Sequence, residues 1–225
     1  MPQMGEKPDG ENMPQDTTTD ESGTSTKGIK AGGGMYLNGG TYQIDSADDS
    51  IHSNANITIA DGTYTLATGD DGVHADDALI VNGGTITVTE SYEGLEGLAV
   101  TINDGTIDIT ASDDGINTAG EKMELNGGYI HILAGGDGVD SNGDLTINGG
   151  DIYIDGPSDN GNSAIDYGDR SSAYVNGGTL VAIGSSGMAE VMSDSSKQKV
   201  LMVKLGEQME AGNVVLTDSE GNVIV

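Results

Sequence analysis

The sequence contains no cysteine, no tryptophan and no phenylalanine among its 225 residues. Without cysteine, neither a disulfide framework nor a thiolate centre can form, while the redox compartment stays undecided. No stretch approaches the ~18 consecutive apolar residues that a membrane-spanning helix requires. The first ten residues, MPQMGEKPDG, lack the basic start and apolar centre of a signal peptide. If the protein is exported, we expect its signal to have been removed or to lie outside this sequence.

Basic residues are also scarce. Eight Lys and Arg stand against 37 Asp and Glu, which gives a formal net charge of −29. Residues 28–196 hold 27 of these acids and only three basic residues, Lys30, Lys122 and Arg170. Such a surface repels nucleic acid and anionic membranes, so neither is an expected partner. Cations are the natural partner.

What the chain has instead is a repeat of about 22 residues. An apolar residue, which we call the anchor, follows each acidic turn at intervals of 22, 22, 22, 21, 23 and 26 residues. The anchors are Ile29, Ile51, Val73, Leu95, Ile116, Val139 and Ile165. A series of glycines keeps step with them: Gly40, Gly62, Gly84, Gly105, Gly128, Gly150 and Gly178. A period in the low twenties with Asn/Gly turns and no helical pattern predicts a solenoid with one β-coil per repeat.

Each coil shows two alternating strands around an Asn-Gly-Gly turn, as in residues 79–81 and 85–88. The alternation predicts one interior column that is aromatic at its start and aliphatic beyond: Tyr42, Tyr64, Ile86, Ile107, Ile130, Ile152 and Leu180. The asparagines at the bend should hydrogen-bond along the stack. They are Asn38, Asn82, Asn103, Asn126, Asn148 and Asn176. We therefore predict an all-β parallel β-helix of about seven coils over residues 28–196.

The two ends of the chain differ from the repeats. Residues 1–27 are rich in Pro, Asp, Glu, Thr and Ser with little to bury, and are predicted to be a solvated acidic linker or leader. The period is lost after Met192. Residues 197–225 are predicted to form a small β cap, with strands at 200–205 and 214–225 around a turn at 218–221.

A column of carboxylates is predicted at the acidic turns, two and three residues before the anchors. Its members are Asp48, Asp49, Asp70, Asp71, Glu93, Asp113, Asp114 and Asp137. Adjacent coils place such groups ~4.8 Å apart. At that separation two carboxylates repel by roughly 3 kcal/mol at an effective dielectric constant of 20. We call this series the carboxylate column.

Calcium would relieve that repulsion, because it accepts six to eight oxygen ligands in flexible geometry. Further oxygen donors directly follow four anchors: Glu96, Asn117, Asp140 and Asp166. The spacing predicts ligand sets drawn from neighbouring coils. One is Glu93 with Asp113, Asp114 and Asn117, and another is Asp114 with Asp137 and Asp140. A solvated acidic face without bound metal is the alternative interpretation.

Two groups of side chains are candidates for binding sugar. Lys30, His52 and His74 occupy the position of Glu96 in the earlier coils, where they can accompany a sugar carboxylate beside a metal ion. Tyr129, His131 and Tyr153 project from the opposite phase of their strands and can form a stacking patch for sugar rings. Ordinary solvated surface is the alternative for both groups.

Several segments carry a family resemblance: GDDGVHAD, SYEGLEG, SDDGIN, GDGVDSNGDLTINGG, AIDYGD and GSSGMA. They resemble a family of secreted, mostly clostridial, carbohydrate-binding proteins. These are right-handed parallel β-helices related to the pectate lyases of polysaccharide lyase family nine. The likeness covers residues 27–225. It implies Ca²⁺ between coils and affinity for plant cell-wall polysaccharide such as pectin or cellulose, including acidic sugars such as polygalacturonate, at an extracellular or cell-surface location.

The resemblance also defines the alternatives. In the lyases two adjacent Asp are followed three residues later by another acid, and Asp113-Asp114 with Asn117 matches this with one amide substitution. The lyases also need a lysine base near the calcium. Lys122 is the only lysine between Lys30 and Lys197, and it lies away from the column. Binding without cleavage is therefore the prediction. A calcium-dependent lyase that uses Lys122 or a His, and a structural module that stacks end to end, remain the alternatives.

Overall fold

The computed structural model describes residues 25–120, 122–168, 170–206, 212 and 214–224. Over these residues the protein is an all-β parallel solenoid, as the repeat predicts. The described residues form no helix, and so none that is long and apolar enough to cross a membrane. The seven anchors align in register across six strand pairings, which corresponds to about six full turns.

Seventeen strands build these turns. They are β1 (Ile29–Ala31), β2 (Met35–Ser46), β3 (Ile51–Ser53), β4 (Ile57–Thr68), β5 (Val73–Val81), β6 (Thr85–Glu90), β7 (Leu95–Ile102), β8 (Thr106–Ala111), β9 (Ile116–Thr118), β10 (Met123–Leu125), β11 (Tyr129–Ala134), β12 (Val139–Ser141), β13 (Leu145–Ile147), β14 (Asp151–Asp155), β15 (Ile165–Tyr167), β16 (Ala173–Val175) and β17 (Thr179–Ile183). Every pairing between these named strands is parallel.

Each coil contributes to three faces. The first face carries the anchors, for example in β3, β9 and β12. The second face carries the strands before the Asn bend, for example β10, β13 and β16. The third face carries the strands after that bend, for example β8, β11, β14 and β17. The acidic turns therefore connect the third face of each coil to the first face.

The predicted interior column is confirmed. Tyr42 pairs with Tyr64, and the register continues without a break through the aliphatic members to Leu180. The Tyr42 and Tyr64 rings stack with centroids 4.9 Å apart and planes only 2° from parallel. From Tyr64 to Ile152 every member is fully buried. The core is therefore a set of vertical stacks, in which each coil covers the apolar side chains of the next.

The Asn bend is as predicted from Asn82 to Asn176. The Asn103 amide donates to Asn82 Oδ1 at 2.8 Å, and the same bond repeats through Asn126, Asn148 and Asn176 at 2.8–3.0 Å. The glycines of the second sequence series all have positive φ, from 83° at Gly178 to 127° at Gly62. An L side chain adopts that conformation only with strain, so glycine is required where each coil turns into its third face.

The C-terminal region departs from the prediction. The strand expected at 200–205 does not form, and in the described part of 214–225 one antiparallel bridge joins Thr217 to Val223. Leu201 and Val203 are each 67% exposed, so their alternation has no apolar surface to pack against. Before this point, backbone bonds from Ser193 to Ala173 and from Gln198 to Val175 continue the last coil without regular strands.

The N-terminal boundary also shifts. Most of the predicted acidic linker lies outside the described residues, but Thr26 and Lys27 lie against the first coil. Thr26 Oγ1 is 3.4 Å from Asp48 Oδ2, and Lys27 Nζ donates to the carboxylates of Asp48 and Asp49. Lys27, assigned to the linker from sequence, is thus part of the solenoid.

Candidate functional site

Backbone hydrogen bonds hold the acidic turns in vertical register. Ser50 N donates to the Asp71 carbonyl at 2.9 Å, Gly72 N to that of Glu93 at 3.0 Å, and Gly94 N to that of Asp114 at 3.0 Å. Each acidic turn is therefore hydrogen-bonded to the turn of the next coil. This holds the side chains of the carboxylate column in neighbouring positions. This is how a parallel solenoid concentrates like charges that a free chain would keep apart.

A buried lysine neutralises the first turn of the column. Lys27 Nζ lies 2.9 Å from Asp48 Oδ1 and 2.7 Å from Asp49 Oδ2, and all three side chains are at most 4% exposed. Burial alone would lower the pKa of Lys27, but the hydrogen bonds to Asp49 and Asp48 raise it above its usual value. The lysine is therefore held as a cation.

Two histidines lie against the next carboxylates of the column. His52 Nδ1 is 2.8 Å from Asp49 Oδ2, and His74 Nδ1 is 3.4 Å from both Asp71 Oδ2 and Glu96 Oε2. Burial favours neutral His74, but its hydrogen bonds to Asp49 and Asp71 raise its pKa to about 11. In the metal-free protein His74 is thus an imidazolium whose Nδ1 faces Asp49, Asp71 and Glu96.

Farther along, crowded carboxylates raise one another's pKa values. Burial is the main cause for Glu93, Glu96 and Asp114, and neighbouring carboxylates add to it in each case. The pKa of Asp114 rises to about 8, with Asp140 the first of its neighbours in effect. The residues that directly follow the anchors pair with one another along the first face, and they change from basic to acidic along the solenoid. In order they are Lys30, His52, His74, Glu96, Asn117, Asp140 and Asp166.

Four groups of side chains among the described residues can hold a metal ion. Their ligand atoms lie within 4.8 Å of one another: Asp48/Asp49/Asp70, Asp49/His52/His74, Asp71/His74/Glu96 and Asp114/Asp137/Asp140. The two groups with imidazole suit zinc-like ions as well as harder cations. The last group offers only oxygen, and it unites the Asp114, Asp137 and Asp140 set that the sequence predicts. We call it the oxygen site.

Two neighbours support a cation at the oxygen site. Asn117 is 8% exposed, and its amide donates to Glu93 Oε2 at 3.0 Å. Its Oδ1 has no hydrogen-bond partner within the described part of the chain. Asn117 pairs in register with Asp140, so this carbonyl oxygen comes from the adjacent coil. Gly136 completes the fit, because a Cβ at this position would lie 2.5 Å from Oδ1 of both Asp113 and Asp114. Oxygen donors of mixed type are the ligands that Ca²⁺ takes.

The other predicted calcium set is not assembled in the same way. Glu93 is held by Asn117, while Asp113 accepts a hydrogen bond from Tyr92, which raises the pKa of that tyrosine. Glu93, Asp113 and Asp114 do not form one of the close groups found among the described residues. The side chains are neighbours along the column, but their oxygens do not converge on one point.

Of the three bases predicted to accompany a sugar carboxylate beside the metal, Lys30, His52 and His74, the structure places the two histidines away from solvent. His52 is fully buried, with Nδ1 on Asp49 and Nε2 3.7 Å from Asp76 Oδ1. The side chain of His74 is only 17% exposed. Only Lys30 is open to solvent. The acidic turns fold over the imidazoles, so these two histidines pack against carboxylates of the column rather than form an open surface.

The second predicted sugar group does come together. Tyr129, His131 and Tyr153 lie on the outer side of the third face, and His131 pairs directly with Tyr153. The Tyr129 and Tyr153 ring centroids are 5.8 Å apart with planes at 40°. Tyr129 is 44% exposed. We call these three side chains the aromatic patch.

The sequence did not indicate three residues that contact the carboxylate column or its histidines: Lys27, Asp76 and Asn54. Lys27 stands in a segment of linker composition, and only its contacts reveal its role. Asp76 lies 3.7 Å from His52 Nε2 and 3.8 Å from His74 Nε2, and it is held by the Asn54 amide at 3.1 Å. The only sequence signal for the contact between Asn54 and Asp76 is their separation of 22 residues, which equals one repeat.

The raised carboxyl pKa values predict a pH dependence for the metal-free protein. An acid whose pKa is higher in the folded state stabilises the fold below its unfolded value, and this contribution is lost as the pH rises through the folded value. For Asp114 the loss extends from about pH 4 to about pH 8. The free energy of unfolding in urea with EGTA should therefore be lower at about pH 9 than at about pH 5. Saturating Ca²⁺ should remove the decrease, and a rise with pH in EGTA would contradict the prediction.

The chain is similar to one family of known proteins. It matches the model of a family described as carbohydrate-binding domain-containing protein, over residues 6–72 and 70–220. No curated protein and no solved structure matches the sequence. The two matched segments together span almost the whole chain, including all seventeen strands.

Proposed function

The chain belongs to the family of carbohydrate-binding domain-containing proteins, and on this basis we propose that it is a calcium-dependent module that binds acidic plant cell-wall polysaccharide such as polygalacturonate. Such polymers are met outside the cell, so the proposal places the protein in the extracellular space or at the cell surface. A relation to the pectate lyases of polysaccharide lyase family nine is part of the same proposal.

The observation that carries the calcium assignment is the oxygen site. Asp114, Asp137 and Asp140 come from two neighbouring coils and offer carboxylate oxygens within 4.8 Å of one another. The buried Oδ1 of Asn117 has no hydrogen-bond partner among the residues that the structure describes. A hard divalent cation suits these donors, and it favours the ionised form of Asp114 that burial and crowding disfavour.

Calcium also explains how so acidic a protein can bind an acidic sugar. At −29 the protein repels a polyuronate over any distance that salt does not screen. A bound divalent ion offsets two of the three carboxylate charges at the bend, and Asp114 and Asp140 are only partly buried. Open coordination positions on Ca²⁺ can then be shared with sugar carboxylates.

We further propose that binding occurs without cleavage. The Lys122 side chain is 60% exposed and its Nζ bonds to Glu124 Oε2 at 2.9 Å. It stands just before β10 on the second face, whereas the carboxylate column lies between the third and first faces. A general base has to reach the proton that it removes, and this lysine faces a different side of the solenoid.

Affinity electrophoresis in gels containing polygalacturonate tests the proposal. Migration of the wild-type protein should be retarded with Ca²⁺ and normal with EGTA, because the metal links the sugar to the protein. Asp114→Ala and Glu93→Ala should each weaken binding about tenfold or more, the first by removing a ligand and the second by freeing Asn117. Tyr153→Ala should have less effect.

The control is Asp45→Ala, which removes an exposed carboxylate of the third face in the first coil. Equal binding in EGTA by a protein that remains folded would show that any bound ion is structural and that the acidic sugar binds elsewhere. The same incubations, read in the ultraviolet for unsaturated products, distinguish binding from lyase activity. Steady product release that Lys122→Ala abolishes would replace this proposal with the lyase alternative.

A further inference from the structure

The two histidines of the first face lie between the same two carboxylates. His52 Nδ1 is 2.8 Å and His74 Nδ1 is 3.6 Å from Asp49 Oδ2. Their other nitrogens, the two Nε2 atoms, are 3.7 and 3.8 Å from Asp76 Oδ1. His52 pairs in register with His74 between β3 and β5, and their ring centroids are 5.0 Å apart. Two imidazoles from neighbouring coils therefore face one carboxylate on each side.

The contacts of Asp49 decide which nitrogen of His52 can bind a metal ion. Asp49 Oδ2 also accepts a hydrogen bond from Lys27 Nζ at 2.7 Å, so Asp49 is an ionised acceptor. His52 Nδ1 therefore carries the hydrogen that it shares with Asp49, and Nε2 of the neutral ring keeps its lone pair. A carboxylate that holds one ring nitrogen in this way orients the other nitrogen toward a metal ion. Because Lys27 already neutralises Asp49, the Nε2 side is the one that a further cation suits.

His52 Nε2 is a buried ligand atom without a partner. The residue is fully buried, and this nitrogen has no hydrogen-bond partner among the residues that the structure describes. Its distance of 3.7 Å from Asp76 Oδ1 is too long for a hydrogen bond. Two ligands of one tetrahedral zinc ion lie roughly 3.3–3.5 Å apart, which is close to this spacing. The unpartnered nitrogen therefore points to a bound ion between the imidazoles and Asp76.

Asp76 covers this position from the solvent side. Its side chain is 42% exposed, and its Oδ2 accepts a hydrogen bond from the Asn54 amide at 3.1 Å. Rotation of an exposed side chain gives an ion access to the buried nitrogen of His52. The ion replaces the proton on His74 Nε2, while Nδ1–H of that ring stays against its carboxylates. Two imidazoles and one carboxylate supply three of the four ligands of a tetrahedral zinc ion and leave one position for water.

We propose that His52 Nε2, His74 Nε2 and Asp76 Oδ1 form a binding site for a divalent transition-metal ion of the zinc type. Imidazole nitrogen is a ligand that such ions take and that Ca²⁺ does not favour. The ion joins β3 to β5, and its ligands are separate from the Asp114, Asp137 and Asp140 of the oxygen site. The inference depends neither on calcium nor on sugar binding.

Isothermal titration calorimetry of the full chain with ZnCl₂ tests the proposal. Metal is first removed with EDTA, and excess Ca²⁺ is then added so that the groups with only oxygen donors are filled. His74→Gln and Asp76→Asn should each weaken Zn²⁺ binding about tenfold or more, because each removes one of three ligands. His131→Gln is the matched control, since His131 Nδ1 also lies beside an aspartate, 3.2 Å from Asp108 Oδ1. It should leave Zn²⁺ binding unchanged.

Asp76→Asn keeps the test decisive where a histidine variant fails to fold, because Asp76 is exposed. Bound Co²⁺ gives a second measurement, since its visible absorption is intense when four-coordinate and weak when six-coordinate. Loss of Zn²⁺ affinity and of the intense Co²⁺ spectrum in Asp76→Asn, with both retained in His131→Gln, supports the proposal. Absence of Zn²⁺ binding by the wild type overturns it, and so does equal affinity of Asp76→Asn and wild type. A larger loss in Glu96→Gln than in Asp76→Asn also overturns it, because the ion would then lie on the Nδ1 side of His74.

Discussion

Removal of Ca²⁺ is expected to lower the melting temperature by about 5–10 °C relative to protein with Ca²⁺ at about 100 times its dissociation constant. A ligand that binds only the folded state at that concentration stabilises it by about 2.7 kcal/mol. For chains of this length each kcal/mol changes the melting temperature by about 2–4 °C. The physical source is the carboxylate column, where burial and crowding raise the pKa values of Glu93, Glu96 and Asp114 when no metal is bound.

Differential scanning calorimetry of metal-loaded protein, before and after EGTA, measures this change. Asp114→Asn and Asp140→Asn should reduce the difference between the two melting curves, because each removes a ligand charge from the oxygen site. Asp45→Asn, on the third face, should leave the difference unchanged. An identical melting curve in EGTA, from a sample whose Ca²⁺ content was verified by elemental analysis, would rule out the column as a calcium site.

Replacement of Lys27 by methionine is expected to destabilise the fold by about 3 kcal/mol, toward the lower end of values for breaking a buried ion pair. The side chains of Lys27, Asp48 and Asp49 are 2%, 4% and 1% exposed, so the variant leaves two carboxylates buried beside an apolar group. An uncompensated buried charge costs more than the original pair contributes. Chemical denaturation in EGTA measures the loss, since Ca²⁺ would otherwise bind at Asp48, Asp49 and Asp70 once the lysine is gone.

Lys30→Met is the matched control, because Lys30 is exposed and lies only three residues away. It should change the free energy of unfolding by at most about 0.5 kcal/mol, as is usual at open surface positions. The double variant Lys27→Met/Asp48→Asn should recover part of the loss, since it removes one of the two carboxylates that the lysine neutralises. Equal stability of Lys27→Met and Lys30→Met would show that Lys27 is not a structural counter-charge.

The fold could be predicted from sequence because its determinants repeat. The spacing of the anchors, the glycines with positive φ and the bend asparagines all recur with the period of one coil. Each recurrence places like residues in neighbouring coils, where a parallel sheet stacks them at a fixed separation. The interior column from Tyr42 to Leu180 and the Asn hydrogen bonds follow from this rule alone. The strand predicted at residues 200–205 does not form, because the alternating apolar residues there have no neighbouring coil to set their register.

The same rule located the candidate site only in part. It brought Asp114, Asp137 and Asp140 together, and it placed His131 beside Tyr153. It did not show that His52 is buried, because burial depends on how the acidic turn folds over the first face. It also missed Lys27, whose segment resembles a linker in composition.

The sequence by itself determined the coil, its period and the vertical alignment of acids, since these depend only on which residues recur. Tertiary structure decided which charges are compensated. Lys27 and His74 place fixed cations among the first carboxylates, whereas Asp114, Asp137 and Asp140 converge with a buried amide oxygen beside them. The physical reason is that the Coulomb energy of a carboxylate depends on distances of a few ångströms and on burial, and one-dimensional spacing specifies neither.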